Sequence, residues 1–389
     1  MRSLPEERRK RAVGLALILT AAALLAGVYL LHIGRDMSDF GVCYQGGQRI
    51  VQGETLYRDA DGHLQYKYSP TSALFFAPLA LLPFGAAKVI WYILEFAFLA
   101  GIFLLFFKIL PIAGKRAAST LAWTFLIELK FFAREIELGQ VNLFILFLLT
   151  SMLYLLLWKK DIAAGFLWGS SLFFKPYALV FLPYFLIKRK FRTLVAGLAT
   201  ALIGLLLPAI FYGVRGNLAV LREWPATLSK STSGLLASYD NASLYGFLLK
   251  TFSFLSKQAT GAIFLTIFLA LALAVLWMIK KGQEPAAPQN PEVLESAFLL
   301  ILIPLFSPLG WNYNYLYSIP VVMIVIAGWR RLPPALRIIL IVNFLAVSTS
   351  LIEVWGRELF RFYTHNALVA LNFLIILVPL FYLRAKNIH

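Results

Sequence analysis

Residues 259–279 read ATGAIFLTIFLALALAVLWMI, and residues 13–33 read VGLALILTAAALLAGVYLLHI. Neither block contains an Asp, Glu, Lys or Arg, and each reaches the roughly 20 apolar residues that carry a helix across a hydrocarbon core. The rest of the 389 residues points the same way: 60% are hydrophobic and 14% charged, against about 45–50% and about 25% in soluble domains. The mean hydropathy is +0.77. These blocks predict an all-α, polytopic integral membrane protein and exclude a soluble globular one.

Further apolar blocks give crossings near 86–110, 117–133, 141–158, 193–213, 259–279, 295–306, 316–328, 336–351 and 366–384, after a first crossing at 13–33. The stretch 161–188 is split at Lys175-Pro176, where proline removes a helix hydrogen bond, and reads as two short crossings or a broken helix pair. Residues 70–84, short and holding three prolines, read as a re-entrant or interfacial segment. A bundle of about 11–12 helices in one polytopic domain, 1–389, follows. Although Arg8, Arg9, Lys10 and Arg11 precede the first block in the manner of a secretory signal, the block is long and lacks a clear cleavage site. It reads as an uncleaved helix.

The net charge is +17, from 36 Lys and Arg against 19 Asp and Glu. Its placement argues against nucleic acid, because the cations sit in short loops between apolar blocks, where they orient helices. With the N-terminus in the cytoplasm, twenty of the 36 basic residues fall on cytoplasmic segments, and both termini lie inside. The cytoplasmic loops are short and basic or plainly flexible (280–294). The outer ones, including 34–69 and 213–258, are long, aromatic and polar in variety, so the outer face is the expected working face. The single cysteine, Cys43, excludes an intramolecular disulfide framework. Four scattered histidines offer no metal spacing, so neither metal nor cofactor is expected. No internal repeat is evident, which weakens a transporter built on inverted repeats.

Six outer segments carry candidate chemistry. Asp36 and Asp39 follow the first crossing, three residues apart, and would share a face on a continuing helix. A carboxylate at this boundary can take a proton from a sugar hydroxyl, and the plainer reading is a pair of solvated helix-end charges. In KFFAREIELGQVN (130–142), Arg134, Glu135, Gln140 and Asn142 surround Gly139, a set that binds hydroxyls or closes an ordinary loop. Lys175 lies in an apolar run, where a cation needs a partner: a phosphate, Glu135 or Glu137, unless it snorkels to the interface. Trp311, Asn312, Tyr313 and Asn314 combine ring faces with amides suited to sugars, or form an aromatic belt. Asp240 and Asn241 close the long outer loop, with Asn241-Ala-Ser fitting a glycosylation sequon. Arg357, Arg361 and His365 offer cations for an anionic headgroup or anchor a helix end.

In this order the segments resemble the polytopic GT-C glycosyltransferases, specifically glycosyltransferase family 87. The resemblance rests on Asp39-Phe40 with Tyr44, Gly53, Leu56-Tyr57, Tyr66-x-Tyr68-x-Pro70 and Pro78-Leu79. It continues through Gly139-Gln140-Val141-Asn142, Gly165 to Lys175-Pro176, Asn241-Ala-Ser-Leu244 and Ser307-Pro308-Leu309-x-Trp311. The chain departs from the pattern after Trp311, where Asn312, Tyr313, Asn314 and Tyr315 stand in place of a histidine. The resemblance implies a polyprenyl-phosphate-sugar donor, a glycolipid or glycan acceptor on the outer side of a bacterial plasma membrane, and Asp39 as base with Asp36 in reserve. The expected chemistry is inverting transfer of a hexose, mannose above others. Lys175, Arg357 and Arg361 would hold the donor phosphate. Tyr44, Tyr57, Tyr68, Glu135, Gln140, Asn142, Asn241, Trp311 and Asn312 would contact sugar or acceptor. A flippase of a lipid-linked sugar is the rival, and it requires comparable polar features on both faces.

Overall fold

The computed structural model describes residues 26–280 and 290–386. Most of the predicted first crossing, 13–33, lies outside the described residues; of it, 26–31 are helical and Ile33–Arg35 forms a 3-10 turn. Beyond that first helical stretch, the described residues hold sixteen α-helices and no strand. They begin with α1 (Ser38–Val51), in the predicted segment 34–69, and α2 (Pro70–Ala80), in the stretch 70–84 read as re-entrant or interfacial; the two pack on each other. Four helices follow at the predicted places: α3 (Phe84–Ile109), α4 (Gly114–Leu138), α5 (Asn142–Leu157) and α6 (Asp161–Ser171). The break at Lys175-Pro176 is real: a 3-10 turn, Pro176–Val180, leads into α7 (Phe181–Ile187). Lys175 itself is extended, as the residue before a proline is forced to be.

Next come α8 (Phe191–Leu206), which stops before Pro208, and α9 (Ala209–Ser233), then α10 (Leu244–Thr251) and α11 (Lys257–Lys280). The predicted outer loop 213–258 is therefore mostly helix. The loop expected over 280–294 is shorter than that: Lys280 closes α11 and Pro291 opens α12 (Pro291–Phe306), while 281–289 lie outside the described residues. A 3-10 segment, Asn312–Ser318, runs into α13 (Ile319–Ala327), followed by α14 (Pro334–Thr349), α15 (Ile352–His365) and α16 (Val369–Lys386).

Two helices, α3 and α11, are long and apolar enough to cross a membrane on their own, and up to five spans result if each bent pair counts as one. The bends are sharp: 119° between α4 and α5, 95° between α8 and α9, and 100° between α14 and α15. Shorter apolar helices, among them 176–187 and 312–327, supply the remaining pieces of a polytopic bundle. Within it α6 and α8 touch backbone to backbone. A Cβ on Gly165 would stand 2.3 Å from the Thr193 carbonyl oxygen, and one on Gly169 would stand 2.4 Å from that of Gly197. Small residues one turn apart permit this approach, and the pair fixes the base from which the Lys175 arm projects.

Toward the end of the bundle that the charge pattern assigns to the cytoplasm, Glu295 is fully buried on α12. Its carboxylate meets Lys188 at 2.7 Å and Arg384 at 3.6 Å, and accepts from the Tyr184 hydroxyl at 3.2 Å. Arg384 also donates to the Met278 carbonyl at 2.8 Å. One carboxylate thus ties α7, α11, α12 and α16 through paired charges, as burial of ions demands.

Candidate active site

The chain turns hard between the two candidate aspartates. Met37 is left-handed (φ 58, ψ 40) and its N–H donates to the Glu137 carbonyl at 3.0 Å. Helix α1 starts at Ser38, so Asp36 stays outside it, its Oδ1 accepting from the Ser38 N–H at 3.4 Å. The expected shared helical face does not exist. Asp39 lies in the first turn of α1, where the helix dipole favours a carboxylate. Opposite it, Gly139 closes α4 with φ 67, and a Cβ there would stand 2.6 Å from that of Phe40. Only glycine both takes this turn and lets α1 approach. Trp91 pins the turn by donating to the Gly139 carbonyl at 3.1 Å.

The next residue, Gln140, is held by five groups. Its Oε1 accepts from the Tyr68 hydroxyl at 3.1 Å, from Lys175 Nζ at 3.3 Å and from the Val141 N–H at 3.4 Å. These donors on one oxygen fix which end of the amide is which. The Nε2 therefore faces Asp39 Oδ2, at 2.5 Å, and the Tyr313 hydroxyl, at 3.5 Å. Lys175 in turn donates to Asn142 Oδ1 at 2.9 Å. Asn142 Nδ2 donates to Glu135 Oε2 at 2.8 Å, and Glu135 Oε1 accepts the free N–H groups of Asn142 and Leu143 at the start of α5. A fully buried carboxylate thus caps a helix, as the dipole there favours. It anchors a chain of contacts that ends at Asp39.

This chain borders a cavity of about 820 Å³. Asp39, Tyr68, Gln140 and Lys175 line it together with Trp311, Asn312 and Tyr313. Trp224, Leu228 and Thr232 of α9 and Phe360, Tyr363 and Thr364 of α15 complete the walls. Four cations open into it, Lys67, Lys130, Arg134 and Lys175, against two carboxylates, Asp39 and Asp240. Burial lowers the pKa of Lys67, with Asp39 opposing the fall. The surplus of positive charge in a partly enclosed space suits a phosphate ester.

The predicted residues divide. Asp39, Tyr68, Gln140, Lys175, Trp311 and Asn312 line the cavity, and Asn142 and Glu135 stand directly behind them. Tyr44 lies elsewhere, its hydroxyl on the Leu82 carbonyl at 2.7 Å, and Tyr57 bonds the Tyr68 carbonyl at 2.7 Å. Asn241 is buried and spent on backbone: Nδ2 donates to Leu236 and Pro308, and Oδ1 accepts from Ser243 and Gly310. It latches the 236–243 loop to the 308–310 turn, so neither a sugar contact nor a glycosylation acceptor fits it. Arg357 and Arg361 are exposed on α15 and do not line the cavity. Lys67, His63, Gln65 and Tyr363, unremarked in the sequence, do. Lys130 also does; a lysine inside an apolar run, the same signal that exposed Lys175, was there to find it.

Residues 66–308, well over half of the chain, match the family model described as glycosyltransferase family 87. Over 340 residues the chain is 26% identical to an alpha-(1->3)-arabinofuranosyltransferase of Corynebacterium glutamicum, covering 82% of this chain and 76% of that protein. It is 21% identical over 343 residues to a polyprenol-phosphate-mannose-dependent alpha-(1-2)-phosphatidylinositol mannoside mannosyltransferase of Mycobacterium tuberculosis, covering 80% and 77%. A local match to a phosphatidylinositol pentamannoside mannosyltransferase of the same species is 34% identical over 103 residues, only 25% of this chain and 24% of that protein. No solved structure matches the chain.

Proposed function

The chain belongs to glycosyltransferase family 87, and on that premise we propose that it moves a hexose, mannose, from a polyprenyl-phosphate donor to an acceptor hydroxyl, with inversion and with Asp39 as general base. The observation that carries this reading is the amide of Gln140. It occupies Asp39 Oδ2 and leaves Oδ1 without a hydrogen bond to the described residues, at the wall of a cationic cavity. The acceptor O–H gives its proton to Oδ1 as its oxygen attacks the anomeric carbon. The bond from that carbon to the phosphate oxygen breaks on the opposite face, and polyprenyl phosphate leaves with the electron pair. Lys175 and Lys67 offset the charge that develops on the leaving group, an effect strongest where water is excluded. Arg357 and Arg361, exposed on α15, are left out of this step.

The same reading sets the cavity on the extracytoplasmic side, because segments 34–69 and 213–258 supply its walls and the basic loops lie at the other end. Both termini are then cytoplasmic, in the plasma membrane of a bacterium. The two mycobacterial relatives named above are, by name, polyprenol-phosphate-mannose-dependent and act on phosphatidylinositol mannosides, and the mannose donor and a glycolipid acceptor are taken over from them; the corynebacterial relative is an arabinofuranosyltransferase. The test is transfer of label from polyprenyl-phosphate-[³H]mannose to membrane glycolipid by purified wild type and D39N. Transfer by wild type alone, with both proteins melting alike, supports the role. Transfer retained in D39N removes Asp39 from it.

A further inference from the structure

Two of the three bent pairs are built alike. In each, an apolar helix of 16 residues, α8 or α14, ends at a bend of 95° or 100°. The fifth residue of the helix that follows is a glycine in the same conformation: Gly213 with φ 67 and ψ 171, Gly356 with φ 70 and ψ 170. That region is essentially closed to other residues, and the space around both glycines is open, so backbone shape and not packing requires them. An aromatic residue precedes each and ties it back. Tyr212 donates to the Glu54 carbonyl at 2.8 Å, and Trp355 donates to the Thr349 hydroxyl at 3.1 Å. Past the glycine, each helix shows three faces at about 100° per residue. On α15, Phe360, Tyr363 and Thr364 turn to the cavity, Leu359 and Phe362 form an exposed apolar strip, and Arg357, Glu358 and Arg361 form an exposed polar one. On α9, Val220 is buried while Trp224 and Leu228 turn to the cavity. Val214 and Leu218 are its exposed apolar strip, and Arg215, Arg222 and Glu223 its polar one.

We propose that α9 and α15 lie along the bilayer surface onto which the cavity opens, each with its apolar strip in the acyl-chain boundary and its polar strip among the headgroups. A helix bent 95–100° from a span that tilts by about 20° runs within about 30° of the membrane plane. The 16 residues of α8 and of α14 rise about 24 Å, short of the roughly 30 Å core. A following helix sunk about 5–10 Å into the interface makes up the difference. The other placements each leave a strip in the wrong medium. As the second half of a broken span, α9 would press Arg215 and Arg222 outward into hydrocarbon, and α15 would do so with Arg357 and Arg361, where membrane charges turn instead to the bundle interior or to water. In open water, both apolar strips would stay wet, although each continues the exposed apolar surface of the span before it, Leu202 and Leu206 on α8 and Ile338 and Val342 on α14. The interface alone satisfies all three faces at once. Two walls of the cavity then ride on helices that the bilayer surface holds, at the depth where a lipid-borne reactant presents its polar end. This placement is independent of the sugar, the donor and the base.

The experiment is a set of single spin labels on the full-length protein in nanodiscs of phosphatidylglycerol and phosphatidylethanolamine. The only native cysteine, Cys43, is buried and stays in place, with labelled wild type as the blank. V214C, L218C, L359C and F362C sample the apolar strips, and R215C, R222C, R357C and R361C the polar ones. All eight positions are exposed, so a label displaces no packed side chain, and each strip is sampled twice on each helix, so a variant that fails to fold leaves its neighbour to report. Power saturation compares oxygen, which concentrates in hydrocarbon, with a nickel chelate, which stays in water. The ratio of oxygen to nickel accessibility is expected to be about threefold or more higher on the apolar strip of each helix than on its polar strip. Nickel reaching both strips alike would place the helices in water, and oxygen reaching both alike would make them halves of broken spans. Apolar strips shielded from both reagents would mean that another protein surface or a second copy covers them. Each of these three results overturns the proposal, and none of them depends on turnover.

Discussion

The molecule gathers charge in two places and treats it in opposite ways. Around Glu295 one buried carboxylate faces Lys188 and Arg384, a tyrosine hydroxyl fills in, and helix ends close over the group. Around Asp39 four cations and two carboxylates line an open cavity, and their bonds run largely to amides and hydroxyls. The first arrangement pairs its charges with one another within the chain. The second leaves charge to be completed by something that arrives. Charge alone does not mark a site in such a protein; charge left incomplete does.

The sharpest way to break the comparison is at its two acidic centres. D39N is expected to lower transfer by about 10²–10⁴-fold, the usual worth of a general base, with little change in melting. E295A should do the reverse, because stripping a buried pair of one partner costs about 3–5 kcal/mol. Its melting temperature should drop while turnover per folded molecule holds. The double variant E295M/K188M should recover much of the loss. Should E295A instead abolish turnover in folded protein, the two clusters are not separable in the way argued here.

A smaller effect is expected at Gln140. Q140L removes the donor to Asp39 Oδ2 and with it the contact that orients the carboxylate, so turnover should fall about tenfold with the melting temperature held. A merely structural role would lower melting and turnover together. The smallest effect concerns Asp59, whose pKa is lowered by its hydrogen bond and charge contact with Lys230, at 2.8 Å. A carboxylate with a depressed folded value adds stability that is present above its unfolded value and lost as pH falls through the folded one. K230A should therefore melt slightly below wild type at pH 7, and the gap should close as pH falls below the usual carboxylate range.

Much of this was legible in the sequence because the signals are local. Apolar runs mark helices α3 to α6 and α11 to α14, and Lys175-Pro176 announces its own break. Asp39, Gln140 and Trp311 stand out as polar residues at block ends. What failed was phase and direction. Spacing suggested that Asp36 and Asp39 share a face, and a single left-handed residue between them prevents it. Arg357 and Arg361 read as cavity cations, yet after the 100° bend the face of α15 that carries Phe360, Tyr363 and Thr364 turns inward instead. Asn241 looked like a ligand because amides bind sugars, whereas here its amide replaces missing backbone partners. Lys67 gave no signal at all, since only tertiary contact brings it beside Asp39.

The bond between Asp39 and Gln140 spans 101 residues of chain, and that from Gln140 to Tyr313 spans 173. At a synthesis rate of about 5–20 residues per second, the aspartate is made roughly 5–20 s before the amide that orients it, and the tyrosine follows later still. For all that interval α1 has no Gly139 turn to dock against. The nascent chain thus carries Asp39 without the amide that orients it, and the arrangement around it forms only once the later helices have been made.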